Sequence, residues 1–276
     1  MAKIAVQIGA TPLARTLASG RDWSISEVVC RAGPEDRPFE EQHGPTAIAV
    51  VVSGTFQYRS ATGDELMTPG SMLLGNAGEC FCCRHEHGRG DRCVSFAYSP
   101  AWFEQITETA ARFRVPRLPA VRATAPLVTK AAAFLAGAAG MSAEELSVRM
   151  AAETARLAAG FEPTGSAAEP SSLARVSRVI RMIDEGESDA LDLTALSGIA
   201  RLSPYHFLRV FEGITGTTPH QYVLRSRLRR AAVRLRTQRT PVLDIAFDCG
   251  FGDVSNFNRA FRAEFGLNPR AFRKLG

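Results

Sequence analysis

The hydrophobic pattern changes period once along the chain. Between residues 4 and 98 it is short and broken. The apolar runs Ile48–Val52, Thr55–Tyr58, Met72–Leu74 and Cys93–Tyr98 are separated by turn signals. Those signals are Ser53-Gly54, Thr62-Gly63-Asp64, Pro69-Gly70 and Gly88-Arg89-Gly90-Asp91. Many short strands at regular spacing predict a sandwich or a small barrel. From about 124 to 160, Ala, Leu, Glu and Arg recur with helical spacing and predict two helices. Met141-Ser142 caps the second, with Glu144 and Glu145 in its first turn. Residues 160–172, GFEPTGSAAEPSS, read as a linker, and everything beyond reads as helix. The chain is therefore expected to be α+β in two domains: residues 1–160, a linker at 161–172, and an all-α part at 173–276.

The helical part contains a repeat. Residues 207–222 (FLRVFEGITGTTPHQY) and 257–272 (FNRAFRAEFGLNPRAF) match at an offset of 50. The shared positions are Phe207/Phe257, Arg209/Arg259, Phe211/Phe261, Gly216/Gly266 and Pro219/Pro269, with Tyr222/Phe272 as an aromatic pair. Duplication is the simplest account. Each copy has the same local logic. In the first, Leu193–Ala200 is a short helix, Arg201-Leu202 turns the chain, and Ser203 caps a second helix that begins at Pro204. In the second, Thr240-Pro241 opens the short helix, Gly250 permits the turn and Asp253 caps the next helix. Short helix, tight turn and capped second helix form a helix-turn-helix. Phenylalanines four apart share an inward face. Tyr205, Leu208 and Arg209, and Val254, Ser255, Asn258 and Arg259, then point outward. Arginine reads guanine and asparagine reads adenine in the major groove, where the N-terminal part of such a helix lies.

Composition narrows the class. The chain has 276 residues, 45% of them apolar and 22% charged, which supports a sizeable core and argues against disorder or coiled coil. No run of 18 apolar residues occurs, so no membrane helix is expected. The opening segment MAKIAVQIGATPLARTL makes a poor signal peptide, and the protein is expected in the cytoplasm. Charge is uneven. Residues 171–276 hold 17 Lys/Arg against 10 Asp/Glu, a surplus of seven, whereas the first 170 residues carry a deficit of two. A basic third points to a polyanion or to a basic solvated face. The segment joining the copies, from Thr218-Pro219 to about Arg236, predicts one helix carrying Arg225, Arg227, Arg229, Arg230, Arg234 and Arg236. Some of these arginines are expected to line phosphates and others to face solvent.

These residues resemble the DNA-binding domain of AraC/XylS-family transcription regulators. The resemblance rests on LDIAFDCGF (243–251), NFNRAFR (256–262) and GLNPRAFR (266–273). It implies two helix-turn-helix units on a linker helix and base contacts from Tyr205, Leu208, Arg209, Val254, Ser255, Asn258 and Arg259. It further implies a cupin-like β-barrel in front and dimerisation through the helices at 124–160. The expected partners are a double-stranded DNA operator, a second copy of the chain, a small effector and, for an activator, RNA polymerase. Leu208 and Val254 are apolar where relatives often carry polar groups.

The front part has its own chemistry. Residues 80–93 read CFCCRHEHGRGDRC, four cysteines with two histidines. In a cytosolic protein such a cluster points to metal binding or redox activity rather than to a disulfide framework. If Gly88–Gly90 is a three-residue hairpin loop, alternation sets Cys83, His85, His87 and Cys93 on one side, a Cys2His2 set suited to one zinc per chain. Cys80 and Cys82 share the other face and form the alternative pair. Capture of oxidants, electrophiles or metalloids by the thiols, or inert packing, are the other readings. Cys30 stands alone and Cys249 reads as packing. His43, beside Glu40 and Glu41, lacks the partner histidine of enzymatic cupins, so a regulator is expected rather than an enzyme; a metal-dependent cupin catalyst is the alternative. A nucleoid-type architectural protein is the third reading, and the Arg, Asn and Ser of the outward faces argue against it.

Overall fold

The computed structural model describes residues 12–36, 38, 40–107, 112–138, 142–162, 168–186 and 191–274. The first eleven residues, Met141 and the middle of the expected linker, 163–167, lie outside the described residues. Strands β1 (Leu13–Ser19), β2 (Trp23–Cys30), β3 (Glu40–Gln42), β4 (Thr46–Ser53), β5 (Phe56–Ser60), β6 (Gly63–Met67), β7 (Met72–Gly75), β8 (Cys80–Arg84) and β9 (Asp91–Tyr98) come first. Helix α1 (Pro100–Thr107), strand β10 (Arg117–Leu118) and helices α2 (Ala125–Leu135) and α3 (Ala143–Ala158) come next. The rest is helical: α4 (Pro170–Glu185), α5 (Leu193–Ala200), α6 (Pro204–Thr215), α7 (Pro219–Thr237), α8 (Val242–Asp248), α9 (Val254–Phe265) and α10 (Pro269–Arg273). Helix α4 thus opens inside the segment read as linker.

The strands form two sheets, ordered β1-β2-β9-β4-β7-β10 and β3-β8-β5-β6. Among the described residues they do not join into one closed ring, so the structure gives two sheets where the family resemblance implied a barrel. Strand β4 shows why the sheets stack. Its sequence TAIAVVVS is apolar on both faces, which alternation assigns to two different neighbours. Ile48 and Val50 pack with Leu127, Val128 and Leu146 of the helical layer. Ala49 and Val51 pack with Phe56, Tyr58 and Met67 of the smaller sheet. Arg117 ties the sheets together from β10. Its side chain is buried, 2.8 Å from Glu65 and 3.0 Å from the Leu66 carbonyl.

Helix α3 begins where its signals placed it. The Ser142 hydroxyl accepts the Glu145 N–H at 3.0 Å, with Glu144 and Glu145 favourably placed at the positive end. Ser142→Ala is expected to lower stability by about 1 kcal/mol, and Ser142→Asp to be nearly neutral. Urea unfolding of the two variants checks this.

The helical third has two cores strung on α7. Tyr222 and Val223, in its first half, pack with α4, α5 and α6. Leu228, Ala231, Ala232 and Leu235, in its second half, pack with α8 and α9. Nineteen residues give a strut about 28 Å long. The first core also takes in Leu66 and Ala120 from the front half. That seam is held by Arg89 with Glu185 and by the Tyr222 hydroxyl, which donates to the Pro69 carbonyl at 3.4 Å. Helix α2 is covered on two sides, by the larger sheet and by α7. No helix among the described residues is long and apolar enough to cross a membrane.

Candidate functional site

The two repeat copies fold alike in detail. Phe207 and Phe211 lie 5.4 Å apart with planes at 56°, and Phe257 and Phe261 repeat both values. Tyr222 meets Phe211 edge-on at 5.6 Å, and Phe272 meets Phe261 edge-on at 5.2 Å. Both second helices end at a left-handed glycine, Gly216 (φ 74°) and Gly266 (φ 76°). Ser203 caps α6 by accepting the His206 N–H, and Asp253 caps α9 by accepting from Ser255 and Asn256. The turns differ. The first uses Arg201 in the left-handed region (φ 53°), the second Gly250 (φ 85°).

With four large rings turned inward, the opposite faces of α6 and α9 are left to solvent. Tyr205 is 71% exposed, Arg209 is exposed and Leu208 half-buried. On α9, Ser255, Asn258 and Arg259 are exposed and Val254 is half-buried. Arg259 lies 3.3 Å from the Asn256 side-chain oxygen on its own helix and interacts with the capping Asp253. Val254, Asn258 and Arg259 line an open trough together with Arg262, Asn268 and Arg270. Each helix therefore presents an unobstructed polar and cationic surface just past its N-terminus.

The arginines of α7, of which some are expected to line phosphates, are partly engaged within the fold. All six are half-buried. Arg225 faces Glu264 at 3.4 Å, Arg229 faces Asp184 at 3.8 Å, and Arg234 bonds Asp248 at 2.7 Å. Asp184 also accepts the Ser226 hydroxyl at 2.7 Å, joining α4 to α7. Three of the six arginines of α7 thus join it to neighbouring helices.

In the front half, a cavity of about 250 Å³ lies between the sheets, lined by Cys30, His43, Phe56, Phe81, Cys83, His85, Asp91 and Cys93 among others. His43 stacks on Phe81 with centroids 4.1 Å apart and shares a hydrogen bond with the Tyr58 hydroxyl at 2.8 Å. Burial pushes its pKa down to about 4. His85 Nε2 lies 2.7 Å from Asp91 Oδ2. Burial works against a charge on His85, but hydrogen bonds with Asp91 and Cys30 outweigh it and raise the pKa to about 9. The Cys83 and Cys93 thiols are pushed up by burial first and by nearby carboxylates next, so both stay protonated.

The hairpin that would gather Cys83, His85, His87 and Cys93 does not form. Strand β8 ends at Arg84 and pairs with β3 and β5, whereas β9 begins at Asp91 and pairs with β2 and β4. The residues between them cross from one sheet to the other. Cys83, His85 and Cys93 reach the cavity, but His87 turns the other way. It bonds the Thr55 hydroxyl at 2.9 Å and lines a cleft against Arg181 and Glu185 of α4. Cys80 is exposed and Cys82 half-buried, both on β8 opposite β3. Three donors that do converge are Cys30, His85 and Asp91, whose ligand atoms all lie within 4.8 Å of one another. Cys30 was out of reach of local spacing. It sits directly opposite Asp91 in the β2–β9 ladder.

Two helix-turn-helix units on a shared strut, each with a free polar face at its second helix, define a two-headed protein of the DNA-binding class. A family model described as a helix-turn-helix domain matches residues 196–275. The chain is 34% identical over 98 residues to the regulatory protein SoxS of Salmonella typhimurium, covering 36% of this chain and 92% of that one. It is 34% identical over 91 residues to the probable transcriptional regulator LumQ of Photobacterium leiognathi. That match covers 33% of this chain and little more than a third (37%) of LumQ. A solved structure, the DNA-binding domain of AdpA in complex with a target DNA, is 28% identical, covers 36% of this chain and 90% of that one, and has a TM-score of 0.35. The chain belongs to the AraC/XylS family of transcription regulators.

Proposed function

We propose that the protein is a sequence-specific regulator of transcription that binds a double-stranded DNA operator through α6 and α9. The observation that carries this reading is the duplicated, solvent-facing set of Tyr205, Leu208 and Arg209 on α6 and Val254, Ser255, Asn258 and Arg259 on α9. Helix α7 is about 28 Å long, close to the roughly 34 Å between successive major-groove faces on one side of DNA. Two heads so mounted read two neighbouring groove segments from one subunit.

The front half, read as a cupin-like sensor domain of residues 1–160, takes a small effector in its inter-sheet cavity. The protein acts in the cytoplasm as a homodimer and, if an activator, meets RNA polymerase. With α2 covered on two sides, the outward face of α3, with Glu144, Glu145, Val148 and Arg149, is the one available for pairing. The seam at Leu66, Ala120 and Arg89–Glu185 supports a sensor that acts on the first unit directly.

Selection of a duplex from a random pool, followed by competition binding, tests the DNA reading. The selected duplex is expected to bind at least about a thousandfold more tightly than a scrambled one at the same salt concentration. Equal affinity for both would replace the regulator reading with the architectural one.

A further inference from the structure

Three donors of different chemistry meet in the cavity wall. Cys30, His85 and Asp91 are all buried, and their ligand atoms lie within 4.8 Å of one another. The backbone brings them together. Cys30 closes β2, Asp91 opens β9, and the two are direct partners across the ladder. His85 is the first residue after β8, on the smaller sheet, so the group spans the mouth between the sheets. Gly90 (φ 73°) makes the approach feasible. A Cβ there would stand 2.3 Å from the Cys30 carbonyl oxygen, a contact no side chain can make. Around the three stand apolar residues, Val28, Phe56 and Leu73. Cys93 stands behind Asp91, its sulfur 3.8 Å from the other carboxylate oxygen.

His85 Nε2 and Asp91 Oδ2 already meet at 2.7 Å, so an ion bound here would take the place of the proton they share and draw in the Cys30 sulfur as a third ligand. We propose that Cys30, His85 and Asp91 form a three-ligand site for a zinc ion, with its fourth position open to the inter-sheet cavity. The donor set selects the metal. A thiolate beside an imidazole is too soft for magnesium or calcium and suits zinc. Three protein ligands with one position open is an arrangement in which a further donor can come and go. Here that donor would be a heteroatom of whatever small molecule enters the cavity. Asp91 coordinates from a position backed by Cys93, and His85 from one braced by Phe56, whose ring stacks on it at 5.8 Å. His87, held by Thr55 on the far side of the crossover, takes no part. The site rests on the geometry of the front half alone and is independent of the DNA-binding reading.

The test uses the full chain, stripped with a chelator under reducing conditions and titrated with cobalt(II), then with zinc. One equivalent of cobalt should bind and give a thiolate-to-cobalt charge-transfer band with the intensity of a single thiolate, which one equivalent of zinc abolishes. Cys30→Ser should remove the band, and Cys30→Ser and Asp91→Asn should each weaken zinc at least about tenfold. His87→Gln should leave both the band and the zinc affinity unchanged. A band of two-thiolate intensity, loss of binding in His87→Gln, or unchanged binding in Cys30→Ser would overturn the assignment. So would no binding at all by the unaltered chain. Because the band intensity is read on the unaltered chain, the result stands even if a variant fails to fold.

Discussion

Replacing Arg209 and Arg259 together by alanine is expected to weaken binding to a cognate duplex by about 2–6 kcal/mol. Each arginine sits on the exposed face of its recognition helix, and neither forms an ion pair within 4 Å among the described residues, although Arg259 lies in the field of the Asp253 cap. A base-reading arginine is worth about 1–3 kcal/mol. The two lie in units with separate cores, so their losses should add. At about 1.4 kcal/mol per tenfold, the double variant loses from some thirtyfold to more than ten-thousandfold. Fluorescence anisotropy at fixed salt measures it, with each single variant alongside. An equal loss on cognate and scrambled duplexes would mean that the arginines hold phosphates and not bases. No loss on either would remove α6 and α9 from the interface.

Phe261→Ala carries the largest expected cost to folding, about 3–5 kcal/mol. Phe261 is fully buried and touches the rings of Phe257, Phe265 and Phe272. No other described side chain in the second unit meets so many rings. Because the first unit has its own core, the damage should stay local. Urea unfolding followed by two probes should show the transition of α8–α10 moving to lower denaturant while the front half keeps its midpoint. A single shared shift would mean that the strut makes the two units one cooperative block.

The difference between these two halves of the molecule also explains what the sequence could disclose. The helix-turn-helix units are written in short-range signals. Ser203 and Asp253 lie beside the helices they cap, the phenylalanines are one turn apart, and a glycine ends each helix. Such signals act within a few residues and survive being read one at a time. The cavity is different. Alternation along β8 says which side chains share a face, but not that β9 belongs to another sheet. The ladder that seats Cys30 against Asp91 joins positions far apart in the chain. Only Gly88 and Gly90, read as a tight hairpin, hinted at the crossover, and their spacing fits either geometry. The arginines of α7 fall in the same category. Their number advertised a basic surface, and the acids that receive them, Asp184, Asp248 and Glu264, come from α4, α8 and α9.

Those internal pairs reshape the electrical appearance of the whole reader. A ribbon of positive potential along a 19-residue helix would hold a duplex anywhere along its length. Here three of the strut's six arginines are paired with acids, and exposed cations stand in the units at both ends, among them Arg201 and Arg209 in the first and Arg259, Arg262 and Arg270 in the second. A duplex bound as proposed would be gripped chiefly by the two tips. Each arginine paired inside the fold is one fewer to displace a condensed ion, and discrimination among landing places then falls more heavily on the side chains at the tips.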